Sequence, residues 1–190
     1  MPSINIHLAI GYRYLAKNEI KNKKEFLKGI VAPDFVEDKA KSHYSTNKAS
    51  DYDMPERVKD KVNIMDFLSE NKVETDYEKG LFLHLYTDKM FYETFFTKEF
   101  LQKTNLKEFF ENLYYSYNQT NQYLEQKYNI EFSEQDKEKI ANNIKKSREL
   151  NHMSQEVVGK NIIEIKKLDN FIEKMSSINI NDCINELISC

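Results

Sequence analysis

The sequence predicts an all-α protein, a helical bundle forming one domain over residues 1–190, and three observations carry that expectation. Gly and Pro are scarce, four and three residues respectively, while Lys, Glu, Asn, Leu and Ile are abundant, a composition suited to long helices with few tight turns. Apolar residues recur at three- and four-residue spacings through most of the chain. No Pro-, Gly- or Ser-rich linker divides it, and 190 residues suffice to enclose one substantial core.

The elements follow in order. Ser3 is placed to cap a first helix running to about Asn18, with Ile6, Leu8, Ile10, Tyr14 and Leu15 as its apolar stripe. His7 lies on or beside that stripe, and Gly11, one turn on, leaves room for a bulky neighbour. A second helix spans Lys23 to Val31 and stops before Pro33, because the residue ahead of a proline is pushed out of helical geometry. Asp34 is then expected in a loop at the helix exit. From Phe35 to Pro55 the chain is polar and weakly patterned, with His43 inside it. Pro55 suits the first turn of a helix from Glu56 to about Asn71, with Val58, Val62, Met65 and Leu68 inward. The helix from Asp76 to Phe96 carries apolar residues on every side, the pattern of an element enclosed by protein. Asn105 with Glu108 resembles a capping box for a helix to Tyr128, with Phe109, Leu113, Tyr117 and Leu124 inward. Ser133 with Asp136 opens a highly charged, peripheral helix to Leu150, anchored by Ile140 and Ile144. After a break at Asn151 to Gln155, Val158, Ile162, Ile165, Leu168, Phe171 and Ile172 mark the inner face of another helix, and a short one follows over Asp182 to Ile188.

Charge excludes some classes of partner. The net charge of -3 arises from 28 basic and 31 acidic residues interleaved along the chain, which gives no electrostatic case for nucleic acid or an anionic membrane. No window has the 18 or more apolar residues of a transmembrane helix, and the N-terminus lacks the pattern of a secretory signal, so a cytoplasmic location is expected. Cys183 and Cys190 are read as reduced thiols on one helix, too far apart to pair.

Chemistry concentrates in few residues. His84 and Asp88 are four apart on the enclosed helix and so share a face; a buried carboxylate there needs a cation, a hydrogen-bond network or a metal. Three of the four histidines (His7, His43 and His84) fall with Asp34 and Asp88 in the segments singled out above. Imidazole and carboxylate suit zinc, manganese or iron, and five such ligands serve one ion, or two if Asp88 bridges. Taken alone, the His84/Asp88 pair is equally an ordinary buried polar pair, and His7 an ordinary core histidine.

The order of these residues carries a resemblance. A histidine on the first helix (His7), Gly-Ile-Val-Ala-Pro-Asp from Gly29 to Asp34, then His43, then His-Leu-Tyr-Thr-Asp from His84 to Asp88 resembles the zinc-dependent phospholipase C family, whose fold is shared with S1/P1-type nucleases. The matched motifs lie within residues 7–88. The resemblance implies a helical bundle of that type in which Asp34, His43, His84 and Asp88 hold one zinc ion and His7 with Asp88 contributes to a second. It also implies hydrolysis of a phosphoester or phosphodiester, including phospholipid-type substrates, by metal-activated water, in a divergent cytoplasmic member. The carboxylates Asp34 and Asp88 are assigned as ligands, and no residue is singled out as acid or base.

Two departures reduce the expected count from three ions to one or two. The chain has no tryptophan to serve as an N-terminal ligand, and Thr94 stands where the family places a third-site histidine. His152 and Glu156 form a His-x-x-x-Glu pair far downstream and are weaker candidate ligands. Asp38 and Glu37 lie close enough in sequence to serve as a base or to support a ligand histidine. The aromatic groups around Tyr86 to Phe96 and Tyr114 to Tyr117 read as core in preference to an acyl or base pocket. A different class is also compatible with the sequence: a non-catalytic binding or scaffold protein whose histidines and aspartates hold a structural metal or form a buried polar network. A phosphohydrolase of the HD type is disfavoured, since no His-Asp dipeptide occurs.

Overall fold

The structure is a computed structural model that describes residues 2–36, 38–45, 62–150, 153, 156 and 158–189. It is all-helical, with no strand among the described residues. α1 (Ile4–Lys17) is buried along most of its first two turns. Ser3 does not cap it: its hydroxyl donates instead to Asn121 Oδ1 at 2.7 Å, while Asn5 donates to Glu125 Oε1 at 2.7 Å. α2 (Lys23–Val31) is capped by Asn22, whose side chain accepts from the Glu25 amide. It does not give way to a loop at Pro33. Proline lacks only the N–H, which a tighter first turn leaves unused, so the chain continues as a 3₁₀ turn over Ala32–Phe35 that buries Pro33 and Asp34. A four-residue helix, α3 (Lys39–Ser42), leads into His43.

The predicted start at Pro55 lies outside the described residues. α4 (Ile64–Glu70) opens under Asn63, which accepts from the Met65 and Asp66 amides. Ile64 and Phe67 are buried, and the predicted Val62 and Leu68 pack against the core, whereas Met65 is 45% exposed, a correction to the predicted face: Ile64 and Phe67, three apart, take the inward side and Met65 falls off it. α5 (Asp76–Phe95) begins with a full capping box from Thr75 and Glu78 and buries ten residues, Leu83, His84 and Asp88 among them. α6 (Lys98–Lys103) is a separate short helix before α7 (Leu106–Tyr128), which Asn105 caps and a left-handed Asn129 ends.

α8 (Glu134–Leu150) is peripheral as expected: among its described side chains only Arg148 is buried, and Ile140 and Ile144 are half-buried. It reaches the 3₁₀ turn through Asn143 Nδ2, which donates to the Asp34 carbonyl at 3.0 Å. α9 (Ile165–Met175) starts later than its apolar spacing predicts. Residues 158–164 are not helical, because side chains on α7 take their amides: Lys160 N donates to Asn112 Oδ1 and Ile162 N to Ser116 Oγ. Val158 is consequently 47% exposed and Ile165 40%, while Leu168, Phe171 and Ile172 stay inward. α10 (Ile180–Ser189) lies against α5.

The most intimate contact is between α2 and α5, where Gly29 and Gly80 face each other's backbones. A Cβ on Gly29 would lie 2.1 Å from the Tyr77 carbonyl oxygen, and one on Gly80 would lie 2.1 Å from that of Phe26. The space at Gly11 is likewise filled by α2, through Leu27 and Ile30, and not by a group above His7. The central aromatic residues are core: Phe91 packs on Phe95, Phe96, Tyr117 and Phe171.

Candidate metal centre

Four elements bring the five leading candidates together. α1 supplies His7, the 3₁₀ turn Asp34, the end of α3 His43, and α5 both His84 and Asp88. Asp88 is the hub. Its Oδ1 lies 3.2 Å from His7 Nε2, and its Oδ2 lies 3.4 Å from His43 Nε2 and 3.5 Å from His84 Nε2. His43 Nε2 is 4.0 Å from Asp34 Oδ1 and 3.2 Å from His84 Nε2. The His7 and His84 rings stack with centroids 3.9 Å apart. Two donor groups result: His43, His84 and Asp88, and His7, Asp34 and His84.

The outer nitrogens fix the tautomers. His84 Nδ1 lies 2.7 Å from the Ile30 carbonyl, which only accepts, so this nitrogen carries the proton and a neutral His84 directs the Nε2 lone pair inward. Ser42 donates its hydroxyl to the Pro33 carbonyl at 3.0 Å, which leaves its oxygen to accept from His43 Nδ1 at 3.0 Å. His43 therefore directs a lone pair inward as well. Two imidazole lone pairs 3.2 Å apart repel unless a proton or a cation lies between them.

Electrostatics agree on where a proton resides without a metal. Burial opposes charge on His84, yet Asp88, Asp34 and the Ile30 carbonyl outweigh it and hold the imidazole above its ordinary 6.5. Burial and the neighbouring His84 hold His7 below 6.5 despite its contact with Asp88, because one carboxylate balances one imidazolium and His84 takes that role. Burial would raise Asp88, but His84 and His7 keep it ionised, well below 3.8. Even so, both Asp88 oxygens, both His7 nitrogens and Thr87 Oγ1 are buried with no hydrogen-bond partner among the described residues.

No family model, curated protein or solved structure matches the chain. The centre is therefore described by its own geometry. Its donor spacings of 3.2, 3.4 and 3.5 Å match the edge of a tetrahedron around an ion with bonds of about 2.1 Å, which is roughly 3.4 Å. Asp34 stands farther out, at 4.0 Å from His43.

The remaining candidates fare differently. Glu156 is exposed and belongs to neither donor group, and His152 and Glu37 lie outside the described residues. Asp38 is exposed, and its Oδ1 accepts from the Lys41 amide at 3.0 Å as the cap of α3. Ser42 and the Ile30 carbonyl escape sequence reasoning, because their roles depend on which carbonyl or ring the fold sets opposite them. A groove of about 340 Å³ lined by Ala32, Pro33, Ser42, Tyr44 and Leu81 lies beside the centre, but none of the five donors lines it. No described helix is long and apolar enough to cross a membrane.

Proposed function

We propose that the chain is a metal-dependent phosphoesterase, as its resemblance to the zinc-dependent phospholipase C family implies, with His43, His84, Asp88 and Asp34 holding one ion and His7 with Asp88 contributing to a second. The observation that carries this reading is the pair of inward lone pairs on His43 and His84, 3.2 Å apart and beside a buried carboxylate whose oxygens lack hydrogen bonds. That donor set suits zinc, with manganese or iron as the nearest alternatives. Divalent cations there would polarise a phosphoryl oxygen and make water acidic enough to attack at neutral pH. The chain's own part is orientation: the Ile30 carbonyl and the Ser42–Pro33 pair set the two rings, and Asp88 presents one oxygen to each ion position.

The test is elemental analysis of protein purified without chelator or a metal-affinity column, followed by hydrolysis of bis(4-nitrophenyl) phosphate. One to two equivalents of metal, lost in His84→Ala, with turnover restored by adding that metal, is the expected result. Absence of metal and of binding on titration would remove the proposal. Because the metal must displace the proton shared around His84, loading releases protons and weakens as pH falls below that residue's raised value.

A structural ion is the second reading, favoured by the burial of His7, His43, His84 and Asp88 to 2% exposure or less. It predicts bound metal with no turnover of any phosphodiester. Under either reading Ser42→Ala frees the His43 ring, and metal affinity is expected to fall by about 10- to 100-fold. A competition titration against a chromogenic chelator measures it, and an unchanged affinity would show that Ser42 does not orient the ligand.

A further inference from the structure

The five donors are unequally enclosed. His7, His43, His84 and Asp88 are exposed by 2% or less, whereas the Asp34 side chain keeps 12%. The centre thus approaches solvent at the 3₁₀ turn, and what covers that turn is α8. Two described contacts join it to that turn: Asn143 donates to the Asp34 carbonyl at 3.0 Å, and Lys139 Nζ sits 5.7 Å from the centre of the Phe35 ring; farther along, the buried Arg148 anchors the end of the helix 5.9 Å over the Tyr114 ring of α7.

The cover is weakly held. Among the described residues α8 makes extensive contact with no other helix, and no apolar side chain described on it is fully buried, while α5 buries Phe82, Leu83, Leu85, Phe91, Tyr92 and Phe95. Segments with few buried apolar contacts open at a small fraction of the global unfolding free energy. Above the edge where the buried donor cluster meets water, α8 is held by one hydrogen bond and one cation–ring contact, while its buried anchor, Arg148 over the Tyr114 ring, lies at the far end, so the part over the 3₁₀ turn can open while the core stays closed.

We propose that α8 is a lid over the donor cluster and that Asn143 is its latch, a positioning residue acting through the backbone of Asp34. Ligands reach the centre between α8 and the 3₁₀ turn when the latch opens. The lid's purpose rests on reading the cluster as a metal site, but its test does not.

That test is the rate at which diethyl pyrocarbonate modifies individual histidines in the chelator-treated full chain, resolved by peptide mass spectrometry, with amide hydrogen exchange in parallel. Asn143→Ala is compared with Asn142→Ala, a neighbouring substitution on the exposed part of α8. Loss of the latch is expected to speed modification of His43 and His84 by roughly two- to tenfold, the factor one hydrogen bond represents. Protection should fall in α8 and not in α5, and Asn142→Ala should match the wild type. Unchanged histidine rates would overturn the proposal. So would an equal loss of protection in α5, which would mean global unfolding. A chain that binds no metal defeats the phosphoesterase reading and leaves this result standing; unchanged rates defeat the latch and leave metal binding standing.

Discussion

Asp88→Ala is expected to abolish metal binding at both ion positions and to lower phosphodiester turnover by at least about 10³-fold, since losing a ligand exceeds the 10- to 100-fold typical of a residue supporting one. Asp88 is the residue whose oxygens approach all three imidazoles, one oxygen toward His7 and the other toward His43 and His84. Asp88→Asn separates charge from shape. In chelator-treated protein it removes the anion that holds His84 charged, and breaking a buried pair costs about 3–5 kcal/mol. The sign with pH follows from two shifts. Asp88 is depressed, so its contribution is present above the ordinary carboxylate value and lost as pH falls through its folded value, well below 3.8. His84 is raised, so its contribution is complete below 6.5 and is lost as pH climbs through its higher folded value. The stability gap between wild type and Asp88→Asn should therefore be widest at about pH 5–6 and narrow toward both extremes. Urea denaturation across pH measures it, and a gap independent of pH would mean that no imidazolium–carboxylate pair exists.

Much of this centre was legible in the sequence because helices are local. The four-residue spacing of His84 and Asp88 fixes their common face whatever surrounds them. The apolar residues around α5 announced its burial, hence the need for a partner for Asp88. What could not be read is what lies opposite. Ser42 looks like any loop serine until its hydroxyl donates to the Pro33 carbonyl, which leaves its oxygen to accept from His43. The spacing of Val158, Ile162 and Ile165 is helical, yet Asn112 and Ser116, more than 40 residues upstream, claim the amides a helix would use. Met65 failed as an inward residue because Ile64 and Phe67, three apart, take the inward face of α4 and leave Met65 beside it.

Gly80→Ala should be among the most destabilising single substitutions in the chain, despite adding a better helix former. Alanine gains about 1 kcal/mol over glycine in a helix interior, but here the new Cβ meets the Phe26 carbonyl oxygen at 2.1 Å, the Ile30 amide nitrogen at 3.0 Å and Gly29 Cα at 3.1 Å. These are backbone atoms of α2 and have no rotamer to change, so the helices must separate, and overpacking of this kind costs roughly 3 kcal/mol or more. In a chain of this size the net loss corresponds to a drop in Tm of about 5–10 °C. Gly29→Ala, against the Tyr77 carbonyl at 2.1 Å, should behave alike. Gly11→Ala is the control: its Cβ meets the Leu27 Cδ2 methyl at 3.1 Å, the end of a flexible side chain, so propensity offsets the contact and Tm should scarcely move. The same crossing places the Ile30 carbonyl 2.7 Å from His84 Nδ1, one turn beyond Gly80. Separating α2 from α5 therefore also releases the ring, and metal affinity should fall in Gly80→Ala even at temperatures where the variant stays folded. A Gly80→Ala protein as stable as the wild type would show that α2 and α5 do not cross this closely, and the orientation assigned to His84 would fall with it.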